Sequence, residues 1–101
     1  MNAEYFDKQI HEELEGAKDY IKRAIEIKPM HAPWSKDLVD MSAAELSHAA
    51  KLYKMFQEYY KKMLDEYKTV PEYIQNTYDV VSSDYMKCSA EVKMMHQAYE
   101  M

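Results

Sequence analysis

Glu45-Leu46-Ser47-His48 sets a carboxylate and an imidazole three residues apart, and on a helix that spacing brings both side chains to one face. Carboxylate oxygen and imidazole nitrogen together suit iron, manganese or zinc. A second carboxylate, Glu13, belongs to the preceding segment. If that segment runs antiparallel, Glu13 comes to roughly the level of residue 50, a few residues from the Glu-x-x-His step. One carboxylate facing such a step is half of a di-iron carboxylate centre of the kind built in helical bundles. A two-fold pair of chains then supplies four Glu and two His. Glu13, Glu45 and His48 are the candidate metal ligands, for iron or else manganese or zinc. With iron bound, oxidation of Fe(II) or consumption of peroxide is the chemistry to expect.

These residues need helices to position them. Apolar residues recur at steps of three and four along almost the whole chain, which is the helical period. The first stripe reads Phe6, Ile10, Glu13, Ala17, Tyr20, Ala24, Ile27. Asn2 is placed to cap it and Pro29 to end it. Residues 29–34 form a connector with two prolines, after which Ser35 is an N-cap candidate. The second stripe reads Leu38, Met41, Glu45, His48, Leu52, Met55, Tyr59. Thr69-Val70-Pro71-Glu72 then has the form of a helix start. The third stripe is Ile74, Tyr78, Val81, Tyr85, Cys88, Val92, Met95, Tyr99. The expected fold is all-α, a single domain over residues 1–101 with helices at about 3–28, 35–68 and 71–99, roughly 40, 50 and 45 Å long. The short second link favours an antiparallel bundle. Rods this long expose much apolar flank, so a homodimer or higher homo-oligomer is expected. Glu13, Glu45 and His48 fall on stripes that the period assigns to the core, where a carboxylate is costly unless compensated.

Composition closes off other classes. The chain has 101 residues, 1 Gly, 3 Pro and 1 Cys, with 9 Met and 10 Tyr in place of much of the usual aliphatic content. One glycine cannot build a phosphate-cradling loop. A formal net charge of −5, with 13 Lys and Arg against 18 Asp and Glu, disfavours nucleic acid as a partner. No apolar run approaches the ~18 residues of a membrane span. With no export leader in MNAEYFDKQI and a single cysteine, a cytoplasmic location is expected.

The residues around the candidate ligands carry a resemblance. Glu13-Leu14-Glu15-Gly16-Ala17-Lys18-Asp19-Tyr20, followed by Ala44-Glu45-Leu46-Ser47-His48-Ala49, resembles the first helix pair of the ferritin-like superfamily, closest to its rubrerythrin side. HEELEGAKDYIK, AELSHAAKLY and AEVKMMHQAYEM also resemble small ferritin-like proteins encoded by phages and prophages. The resemblance implies a ferritin-like bundle and a metal site at Glu13, Glu45 and His48. The chain departs from that pattern in its third helix, which offers no second Glu-x-x-His: Met94 stands three residues after Glu91, and His96 lies on another face. A complete dinuclear site therefore requires another subunit.

Other residues favour plainer readings. Glu12 and Glu15 read as a solvated acidic face. His11-Glu12-Glu13-Leu14-Glu15 lacks the second His of a zinc-protease helix. His31 and His96 read as surface residues, and Met41, Met55, Met94 and Met95 as adaptable core filling. Cys88 reads as a small buried apolar residue, and Ser82 and Ser83 have no nucleophilic constellation. Tyr20 is placed to serve the site as a neighbouring donor. The alternative to a metal protein is a metal-free helical interaction or assembly protein, using its Tyr- and Met-rich faces to bind protein and carrying a vestigial site.

Overall fold

The computed structural model describes residues 1–101 as three helices, α1 (Ala3–Ile27), α2 (Ala32–Tyr67) and α3 (Glu72–Glu100), with no strand. They lie antiparallel in a rod of 55 × 19 × 16 Å, whose long axis matches the ~54 Å expected of the 36 residues of α2. By backbone approach α1 packs closely on α2 and less closely on α3, while α2 and α3 stand further apart and meet through their side chains, Tyr53 stacking on Tyr85 and Tyr60 on Tyr78. No helix is long and apolar enough to cross a membrane.

The helix ends follow local chemistry, with two corrections to the sequence reading. Asn2 caps α1, its side chain accepting from the Tyr5 N–H at 2.9 Å. α2 begins at Ala32 instead of near Ser35: His31 is the cap, its Nδ1 accepting from the Trp34 N–H at 3.2 Å, and Pro33 sits in the first turn where no donor is needed. α3 begins at Glu72 with Pro71 as the cap, so Thr69 does not cap it. Lys68 closes α2 in the left-handed conformation, φ 61°.

Buried residues of α1 are Ala3, Phe6, Ile10, Leu14, Ala17, Ile21 and Ala24. Leu14 and Ile21 therefore occupy the core where the stripe had Glu13 and Tyr20, which are half-buried. On α2 the correction is larger. Its buried residues are Ser35, Ser42, Ala49, Tyr53 and Phe56, about one residue, or ~100°, away from the Leu38–Tyr59 stripe. Small side chains explain this phase. Ser42 Oγ donates to the Ala17 carbonyl and Ser35 Oγ to the Ala24 carbonyl, each at 2.6 Å. Such bonds exist only where the two backbones approach closely. α3 matches its expected stripe, with Ile74, Val81 and Val92 buried and Tyr78, Tyr85, Cys88, Met95 and Tyr99 half-buried.

The interior has two parts. Toward the N-terminus of α1, Phe6 stacks on Phe56 (centroids 5.0 Å, 12° between planes), packed with Ile10, Leu14, Ala49, Tyr53, Ile74 and Val81. Toward the other end, Ala17, Ile21, Ala24 and Val92 form a slimmer core.

α3 packs on α1 through Ile74, Val81 and Val92 and is tied to it by polar contacts as well. Lys18 Nζ donates to Glu91 at 2.9 Å, and Lys28 Nζ donates to the Tyr99 carbonyl. His11 stands between Asp7 and Asp84: Nδ1 is 2.8 Å from the Asp7 carboxylate and Nε2 3.0 Å from that of Asp84. Burial works against the charged imidazole, but the Asp84 hydrogen bond and the Asp7 contacts outweigh it and hold the pKa above its ordinary value. A histidine raised on folding contributes stability that is fully present below its unfolded pKa, about 6.5, and is lost as pH rises through the raised folded value. His96 runs the other way, since burial lowers its pKa. The wild-type minus His11→Gln difference in Tm is therefore expected to shrink as pH is raised from 5.5 to 8.5. A difference that stays flat across that range overturns the role given to a charged His11 between Asp7 and Asp84.

Candidate metal centre

Glu13 on α1 meets Glu45 and His48 on α2. One ligand atom from each lies within 4.8 Å of the others. Ions bound through oxygen and nitrogen at ~2.0–2.2 Å hold ligand atoms no more than about 4.4 Å apart, so the three close on one ion by moving a few tenths of an ångström. The Glu-x-x-His step is an intrinsic property of α2. Glu13 is brought to it by the close α1–α2 approach that Ser42 and Ala17 permit. The cluster sits where the aromatic part of the core gives way to the slimmer part, between Leu14 and Ala17.

The centre lies on the flank of the α1–α2 seam instead of in the core as the stripes assigned it. Glu13 and Glu45 are half-buried and His48 is exposed, with 54% of its side chain accessible against 23% for Glu13. At ~100° per residue, Glu13 is roughly 150° around α1 from His11 and Lys18, whose side chains reach α3. The opening thus faces away from α3.

The electrostatics are those of a site short of positive charge. Glu45's carboxyl is held above the ordinary carboxylate range, first by its hydrogen bond to the Glu13 carboxyl, then by burial and by Glu13's charge, with His48 pulling the other way. A carboxyl raised on folding costs stability as pH climbs through its pKa, and a cation in its place relieves that cost. His48 Nδ1 is 3.4 Å from Glu13 Oε2, an ion-pair distance without hydrogen-bond alignment. With both carboxyls ionised, Glu13 Oε2 has no access to solvent and no hydrogen-bond partner. An orphaned buried carboxylate oxygen, aimed at another carboxyl and an imidazole, fits a metal ion well.

The remaining sequence candidates settle plainly. Glu12 and Glu15 are exposed. His96 is half-buried, a correction to its reading as a surface residue, and its Nε2 is 2.9 Å from Ser42 Oγ. This is not a nucleophile–base pair: Ser42 is fully buried, and its single proton is given to Ala17. His31 is likewise half-buried, capping α2 and stacking on Trp34 at 3.9 Å. Cys88 is half-buried, and Tyr20 is half-buried on α1. Sequence reading missed Gly16, over which the Glu45 carboxylate lies; the available signal was a lone glycine inside a helix. Compared with protein-family models, curated proteins and solved structures, the chain matches none.

Proposed function

We propose that the chain is a small ferritin-like metal-binding protein, of the kind phages and prophages encode, in which Glu13, Glu45 and His48 hold iron or another divalent metal and a second copy completes the centre. The observation that carries this reading is the convergence of three ligand-type side chains from two helices around a solvent-excluded carboxylate oxygen that has no donor when Glu45 is ionised. Iron held there would supply oxidase or peroxidase-type chemistry. The protein's own part is to fix two carboxylates and one imidazole at one level, and to leave coordination positions open.

Completion by a second copy is supported by the flank itself. Leu38, Met41, Glu45, His48, Leu52, Met55 and Tyr59 follow one another in strict steps of three and four, the a/d spacing of a helix seam. Since α2 turns its small residues to α1, this stripe remains partly open, with Met41 44% and Met55 45% exposed. Glu45 and His48 fall at its middle. Two copies paired antiparallel along it bring their half-sites together and cover the methionines.

Metal content and assembly test this together. Protein purified from cells supplemented with iron is expected to carry about one metal per chain, and added Fe(II), Mn(II) or Zn(II) to raise Tm and shift sedimentation toward the dimer. A chain that gains no Tm and stays metal-free overturns the reading. The exposure of His48 favours one other reading, a metal-free interaction protein, and that same outcome would select it.

A further inference from the structure

We infer that Gly16 is a positioning residue for this centre: lacking a Cβ, it lets the Glu45 carboxylate lie against α1 beside Glu13. The inference rests on the reading of the cluster as a metal site. Gly16 is the only glycine of the chain and stands inside the 25-residue α1. Its backbone is not in the positive-φ region, so no turn calls for a glycine. Glycine is a poor helix residue, and Ala would be the better one at such a position. The three atoms that a side chain would approach most closely all belong to Glu45. A Cβ at residue 16 would stand 3.1 Å from Glu45 Oε2, 3.5 Å from its Cδ and 3.6 Å from its Cγ.

The closest of these is too tight for ordinary contact, and the group that would give way is the end of a flexible side chain. The helix would therefore keep its gain while the carboxylate moved off by a few tenths of an ångström. For a ligand set that already spans 4.8 Å, that displacement acts against closure on one ion. Stability and ligation thus respond to residue 16 in opposite directions.

Gly16→Ala, with Co(II) as the probe, tests this. Without metal, its Tm is expected to rise by about 3–6 °C. Its Co(II) affinity, read from the d–d absorption, is expected to fall about tenfold or more, with a changed band intensity. A purely structural role would move stability and binding together. In a Glu45→Ala background the same substitution should still raise Tm and leave residual Co(II) affinity unchanged, since Gly16 acts through that carboxylate. Undiminished Co(II) affinity in Gly16→Ala, or an equal loss in the Glu45→Ala background, overturns the inference while leaving the metal reading standing. Failure of the wild-type chain to bind Co(II) overturns the metal reading and the role of Gly16 with it.

Discussion

Phe56→Ala is expected to lower the unfolding free energy by about 3–5 kcal/mol, the largest loss from any single truncation in this chain. Phe56 has no exposed surface, stacks on Phe6 and meets the Tyr78 ring edge-on with centroids 5.2 Å apart. It is the largest fully buried side chain in the molecule. Its neighbour Met55 is 45% exposed, and Met55→Ala is expected to cost less than about 1 kcal/mol. Urea unfolding of the two variants measures both. The pair also decides the rotational phase of α2, because the apolar period of the sequence places Met55 inward and the fold places Phe56 there. Equal losses would mean that α2 is rotated away from the orientation described here.

Glu13→Leu should separate the cost of the centre from its use. In the metal-free protein it removes a buried carboxylate oxygen without a hydrogen-bond partner and frees Glu45 from the contact that holds its pKa up. Unfolding free energy in the absence of metal is expected to rise by about 1–2 kcal/mol. On the proposed metal reading, the wild-type chain at a metal concentration one hundred times Kd is expected to gain about 2.7 kcal/mol from binding, and Glu13→Leu none of it. Differential scanning calorimetry with and without Zn(II) reads both effects. A persistent metal-dependent rise in the variant removes Glu13 from the ligand set. A metal-free variant less stable than wild type shows that Glu13 serves the fold through contacts other than ligation.

Both predictions bear on the flank of α2. Leu38, Met41, Leu52 and Met55 have the size and spacing of core residues, yet the fold leaves this stripe half open. In a chain of this length, leaving such a stripe open favours association, and the polar middle of the stripe is where a shared ion would sit. The variants that test the centre are therefore best followed by sedimentation as well as by melting.

What the amino-acid sequence by itself determined is local. The step of three and four residues dictates helices, proline and asparagine mark where they start and stop to within a few residues, and Glu45 and His48 share a face because any α-helix puts residues three apart together. The stripe of α3 was legible for the same reason, since its large apolar residues are also the ones that pack. The tertiary structure alone decided which side of α2 faces α1, and with it that Glu13 meets Glu45 and His48 on a flank and not in the core. Hydropathy weighs side chains by apolar area, whereas helix approach is governed by how little space they fill. Ser42 against Ala17 lets the backbones come close enough for a serine to bond a facing carbonyl, and no apolar scale ranks serine as a core residue. The part played by Gly16 is a matter of contact for the same reason: its significance lies in an atom it lacks, opposite a carboxylate from another helix.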